Sequence, residues 1–241
     1  MSVESTLERV GTVVGLWRYP VKSMAAEALE QADVGWQGLD GDRRWAFVRE
    51  GVRGSGFPWL TIRENPQMQH YRPAFVDGTD AERSPLEVHT PDGARLGVED
   101  PALAAELWSK GASAIKQQRG VFDTFPLSLI TVQTVRQLAE SVGEPLDVSR
   151  FRPNILVDTE SDDPFPEDGW VGRTLRLGSL RLRVDKRDGR CVVITVDPAT
   201  LERNPAVLRV VAQERQGCLG VYGSTVQPGA LGLGDPVGLE P

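Results

Sequence analysis

A chain of 241 residues, 40% hydrophobic and 25% charged, carries enough apolar material for one large domain or two small packed ones. A net charge of −7 argues against a broad nucleic-acid surface and suits a small anionic ligand gripped by a few clustered bases. Two cysteines are too few for a disulfide framework or a four-thiolate iron–sulfur cluster, and with only His70 and His89 besides, none of the four closely paired, no zinc site is expected. With no run of about 18 apolar residues and no apolar signal core near Glu4 and Glu8, the composition predicts a cytoplasmic protein without a membrane span.

Residues 10–19 are rich in β-branched and aromatic side chains and stop at Pro20, which predicts a strand. Gly35, Gly38 and Gly41 predict a turn or bulge ahead of a short apolar strand at 44–48. Residues 77–93, with Gly78, Pro85, Pro91 and Gly93, predict a surface loop or short hairpin between two halves. Helices are predicted at 101–110, where Leu103 and Leu107 are four apart, and at 131–142, where Val132, Val135, Leu138 and Val142 form a stripe. A third is predicted at 205–215, with Asn204 as N-cap and Pro205 in the first helical position. Between them, 175–177 and 180–184 form a hairpin through Gly178 and Ser179. A second turn at Asp188 and Gly189 leads into a further strand over 191–196. Short strands around few helices predict a mixed, β-rich fold with a barrel-like core and helices outside.

Cys191 follows a turn and a basic residue, a setting that favours thiolate, so it can be a nucleophile or a soft metal ligand. A free cysteine is more often packing. Neither His70 nor His89 lies in a protease motif, so metal ligation fits the thiol better than nucleophilic catalysis. Cys218 has no adjacent base and reads as packing. Lys22 and Ser23 sit just past a strand, and Arg43 and Arg44 are adjacent, so in extended backbone only one of the two faces a given pocket. Arg152 and Asn154 flank the stiff Pro153. Each base alone is a solvated surface charge; brought together they form an anion clamp.

Four motifs occur in order: Tyr19-Pro-Val-Lys-Ser23, Phe151-Arg-Pro-Asn154, Arg190-Cys191 with Thr195-Val-Asp-Pro198, and Gly234-Asp-Pro-Val237. Over residues 10–239 this pattern resembles the MOSC family, which includes the mitochondrial amidoxime-reducing component and its bacterial relatives. The resemblance implies an N-terminal β-barrel domain at 8–95 packed on a MOSC β-barrel with peripheral helices at 100–239. It implies a molybdenum–molybdopterin cofactor, with Cys191 as a sulfur ligand to the metal and as the catalytic position. Lys22, Ser23 and Arg43 match residues that bind the pterin phosphate and ring, and Arg152, Asn154 and Arg190 match further cofactor contacts. Asp123 and Thr124, with Pro126, look like the family's loop before an apolar strand. The activity implied is reduction of small N-hydroxylated or N-oxide compounds, and the alternative is a carrier of the cofactor or of sulfur. Electrons are expected from a separate donor of ferredoxin, flavoprotein or cytochrome type, and no pyridoxal phosphate is expected. Ile194 departs from the threonine frequent in the amidoxime reducers.

Overall fold

The computed structural model describes residues 7–52, 56–78 and 80–241. Seven strands form the central barrel: β1 (Glu8–Arg18), β2 (Leu127–Thr131), β3 (Ile155–Thr159), β4 (Thr174–Leu177), β5 (Leu180–Gly189), β6 (Cys218–Gln227) and β7 (Pro236–Leu239). Their order is β3-β2-β6-β5-β4-β7-β1, and pairing of β1 back onto β3 closes the sheet. Closure removes free sheet edges. The alternation of apolar and basic residues in β5 puts Leu180, Leu182 and Val184 inside and leaves Arg181 and Arg183 less buried outside. Inside they meet Val13, Leu16, Leu129, Val157 and Val237.

β2 is buried along its whole length. Its outer face is covered because β2 and β3 run parallel, and a parallel pair needs a crossover. That crossover carries α2 (Val132–Val142), which follows a shorter helix, α1 (Pro101–Leu107), and precedes α3 (Pro205–Arg215). The Thr131 hydroxyl accepts from Thr134 N at the start of α2, and Gly143 ends it at φ 86. Asn204 caps α3 through Ala206 N, with Pro205 in the first turn. Leu138, Val207 and Val211 of these helices pack on Phe151, Ile194 and Leu219, so the outer layer holds the backbone beside Cys191 in place.

A third core gathers Val21, Met24, Phe47, Leu60, Met68, Val88 and Leu103. Around it lie the pair Trp45–Arg49 with Ala112–Lys116, and a meander of Arg72–Phe75, Leu86–His89 and Arg95–Gly97. The two halves of the sequence interleave: β1 completes the barrel, and Gly229–Gly232 pairs with Gln31–Gly35. Among the described residues no helix is long and apolar enough to cross a membrane.

Several sequence expectations need correction. Residues 191–196 are not a strand. β5 runs on through Asp188 to Gly189, so there is no turn there, and Val192–Thr195 is a 3-10 helix. The apolar run Val192-Val-Ile194 mimics a strand, but the main chain turns because Arg150 draws the carbonyls of Ile194 and Thr195 inward. The short strand expected at 44–48 is Trp45–Arg49, and the helix expected at 101–110 stops at Leu107. Of the loop or short hairpin expected at 77–93, the hairpin is the one present, since Leu86–His89 turns back into Arg95–Gly97; Thr79 lies outside the described residues. Cys218 opens β6 opposite Gly189, half-buried rather than core.

Candidate functional site

A cavity opens where the ends of β1, β2 and β5 meet the 3-10 turn Val148–Phe151 and the loops around residues 22, 43, 62 and 123. Lys22, Arg43, Arg63, Arg150, Arg152 and Arg190 line it, against the two carboxylates Asp123 and Asp188. In a chain of net charge −7 this concentration of cations has to be built, and its construction can be followed bond by bond.

Proline 20 ends β1's course and turns the chain so that Lys22 points inward. Its ammonium pairs with Asp123 Oδ1 at 2.7 Å and donates to Val121 O at 3.1 Å. Burial pushes the Lys22 pKa down, against the pull of Asp123. Asp123, although exposed on one side, is partly desolvated at the cavity wall, which pushes its pKa up, but Lys22, Arg43 and Arg63 around it hold it low. Asp42, fully buried, organises the next residue: its Oδ1 accepts from Tyr19 N at 2.7 Å and its Oδ2 from Arg43 Nη1 at 2.5 Å. Arg43 also donates to Asn154 Oδ1 and Arg152 O. Arg44 points away, to Gln37, which answers the question of which arginine faces the pocket.

Arg43 and Arg152 both lie over the Tyr19 ring, with guanidinium carbons 4.6 and 4.3 Å from its centroid. Tyr19 is held by a bond from its hydroxyl to Pro153 O, and burial raises its pKa to about 12. Among the described residues the Arg152 guanidinium has no hydrogen-bond or ion-pair partner. Burial, with the Arg43 charge beside it, presses Arg152 down to about 10. It is thus a half-buried cation at the cavity wall without an ion-paired anion. Ser23, Arg43 and Arg152 all have positive φ, at 71°, 49° and 53°. Such backbone costs on the order of 1–3 kcal/mol per residue and persists where surrounding contacts over-determine it, a recurrent feature of ligand sites.

On the opposite wall, Arg190 is pinned by Leu219 O, Phe151 O and Asp188, while its Nη2 is buried without a partner among the described residues. Asp188 is held by Ser128 and Tyr222, and burial pushes it up. Cys191 caps the 3-10 helix Val192–Thr195 at the cavity wall, and Arg63 Nη2 lies 3.2 Å from its Sγ. Arg150 locks that helix through its two carbonyl contacts and a 2.7 Å pair with Asp197.

Of the residues singled out in the sequence, Lys22, Ser23, Arg43, Asp123, Arg152, Asn154, Arg190 and Cys191 all line this cavity. Thr124 does not; it is exposed, and Phe122 and Phe125 line the wall instead. Asn154 lines the wall with its amide already engaged: it accepts from Ser128 N and Arg43 and donates to Trp17 O, so it braces the site. The sequence alone assigns no role to Arg63, Asp42 or Arg150. Asp42 and Arg150 each directly precede a residue singled out in the sequence, Arg43 and Phe151, whereas nothing local marks Arg63.

Residues 10–123 match the MOSC N-terminal beta barrel domain, and residues 116–238 match the MOSC domain. The chain belongs to the MOSC family. Among relatives of this MOSC protein, the mitochondrial amidoxime-reducing component 1 of Xenopus laevis is 25% identical, over 96% of this chain and 82% of its own. The mitochondrial amidoxime reducing component 2 of Homo sapiens is also 25% identical, over 96% and 84%. The molybdenum cofactor sulfurase of Drosophila mojavensis is 28% identical over 85% of this chain, which spans only 30% of the sulfurase's length. The crystal structure of the YUAD protein from Bacillus subtilis shares the fold, with a TM-score of 0.53 at 13% identity and 97% and 98% coverage.

Proposed function

We propose that this MOSC protein holds a molybdenum–molybdopterin cofactor in the cavity, with Cys191 as a sulfur ligand to the metal. On this reading it reduces small N-hydroxylated or N-oxide compounds with electrons from a separate donor protein of ferredoxin, flavoprotein or cytochrome type. The observation that carries the reading is the unspent cationic capacity beside a thiol. The free Arg152 guanidinium and the orphaned Arg190 Nη2 are donors awaiting an anion, and the accessible sulfur is a soft donor. When bound, molybdenum supplies the two-electron chemistry for cleaving an N–O bond. Lys22, Arg43 and Arg152 bind the cofactor's anionic end. Arg63 orients the Cys191 sulfur, and Tyr222, whose pKa burial raises, keeps its hydroxyl proton beside Asp188 within the cavity. Relatives named for amidoxime reduction favour this activity.

The match to molybdenum cofactor sulfurases favours a second reading, a carrier of cofactor or sulfur without turnover of its own. Metal content and turnover together separate the two. Protein from a molybdate-fed host is expected to contain one molybdenum per chain, and reduced viologen is expected to drive amidoxime reduction. Bound metal without viologen-driven turnover would select the cofactor carrier; absence of metal from protein made beside a loaded molybdoenzyme would remove both the reductase and the cofactor carrier and leave only a carrier of sulfur. The sequence has no Gly-x-Gly-x-x-Gly motif, so NADH alone is expected to give no turnover above the buffer rate, followed by absorbance at 340 nm.

Arg152→Ala has an expected effect of its own. Losing a charge-assisted hydrogen bond costs roughly 1.5–3 kcal/mol of cofactor binding, about ten- to hundred-fold in retention. The cofactor-free chain should melt no earlier than wild type, because the change also removes a half-buried, desolvated cation without an ion-paired anion. Molybdenum content after dialysis and the melting temperature of apoprotein check the two halves.

A further inference from the structure

A second cleft adjoins the first at Arg152, which lines both. One wall is the meander. There Arg72 stands opposite His89, and His89 opposite Arg95. Directly paired residues share a sheet face, so the register sets these three in one row, and all three line the cleft. Both arginines are exposed to solvent, and among the described residues neither has an ion pair or a side-chain hydrogen bond. Asp147 supplies a carboxylate on the far wall, but its Oδ1 is engaged by Ser149 N at 2.7 Å. Gln69 also lines the cleft, and although only 8% exposed it has an Nε2 without a partner among the described residues. His70 Nε2 meets Ala199 O at 3.1 Å and ties the two walls together.

Cross-strand neighbours are about 5 Å apart, so the arginine backbones at the ends of the row are separated by about 10 Å. One guanidinium grips one phosphoryl group through paired donors, and two long, exposed arginine side chains are able to converge over that span. We infer that this cleft is a second anion site, which takes a small molecule carrying a diphosphate group. The inference does not depend on the cofactor reading. It rests on a wall that contributes nothing to the Cys191 cavity.

Titration calorimetry with pyrophosphate and with orthophosphate tests it on wild-type protein, an Arg72→Ala/Arg95→Ala double variant, and Lys22→Ala as control for the neighbouring cavity. Pyrophosphate is expected to bind wild type at least ten-fold more tightly than orthophosphate. The double variant is expected to lose at least ten-fold in pyrophosphate affinity with its melting temperature and molybdenum content unchanged, while Lys22→Ala keeps the tight binding. Equal affinity in the double variant, equal affinity for the two anions, or loss of binding in Lys22→Ala would each overturn the assignment. ADP separates a diphosphate ester from the free ion. It should bind at least as tightly as pyrophosphate, since Ala25, Ala26 and Trp17 leave an uncharged end to the cleft. ADP binding ten-fold weaker would rule out the ester.

Discussion

Cys191→Ala is expected to lower viologen-driven amidoxime reduction by at least about 100-fold, more than the loss usual for groups that merely support a metal ligand. The same change should leave the fold nearly intact. Cys191 is half-buried at a cavity wall and belongs to none of the three apolar cores, so removing its sulfur opens little enclosed space. Its hydrogen-bond partner, Arg63, is exposed and can turn to water at little cost. A cysteine kept for packing would behave the other way, with a lower melting temperature and full activity. Alanine is a cleaner replacement than serine, whose alkoxide can still bind a metal. Cys218→Ala is the matched control: it starts a barrel strand, lies outside the cavity and has one long contact, 3.8 Å, to Gln216 O. The expected pattern is loss of activity in the first variant alone. Full activity in Cys191→Ala, or loss confined to Cys218→Ala, would sink the assignment.

The sequence made local structure most legible where independent local signals agree. α3 matches its expected bounds because the Asn204 cap and Pro205 in the first turn agree. The 177–180 hairpin is legible for the same reason, since alternation and a two-residue turn coincide. At 191–196 the local signal misleads: Val-Val-Ile has strand propensity, and Arg150, more than 40 positions away, sets the path. Arg63 shows a second limit. It reaches the sulfur across 128 positions of sequence from a loop with no distinctive spacing, so only the assembled fold brings it there. Thr124 shows a third, since adjacency to Asp123 does not carry it into the pocket when the chain turns outward. Barrel closure is likewise a long-range property, because β1 pairs with strands that begin at positions 155 and 236.

Asp42→Asn should bring the largest loss of stability among the site variants. The carboxylate is fully buried and serves two masters: it receives the Tyr19 amide that fixes the end of β1, and it neutralises Arg43. Asparagine can still accept one bond, but its amide turns a donor toward one of those two donors. Breaking a buried ion pair from one side costs about 3–5 kcal/mol. The lower end applies here, because Arg43 borders the cavity and retains Asn154 Oδ1 and Arg152 O. At roughly 2–4 °C per kcal/mol for a chain of this size, the melting temperature should fall by about 6–12 °C. Asp40→Asn is the control, since among the described residues that carboxylate has neither hydrogen bond nor ion pair, and it should melt within about 2 °C of wild type. The variant should also retain cofactor poorly. Arg43 keeps its left-handed backbone because Asp42, Tyr19 and Asn154 together hold it, and a strained residue released from one of three restraints relaxes away from its binding geometry. Molybdenum content of the folded variant at 20 °C, well below its melting transition, reads this second effect separately from the first. Wild-type metal content there would show that Asp42 supports the fold without setting the clamp.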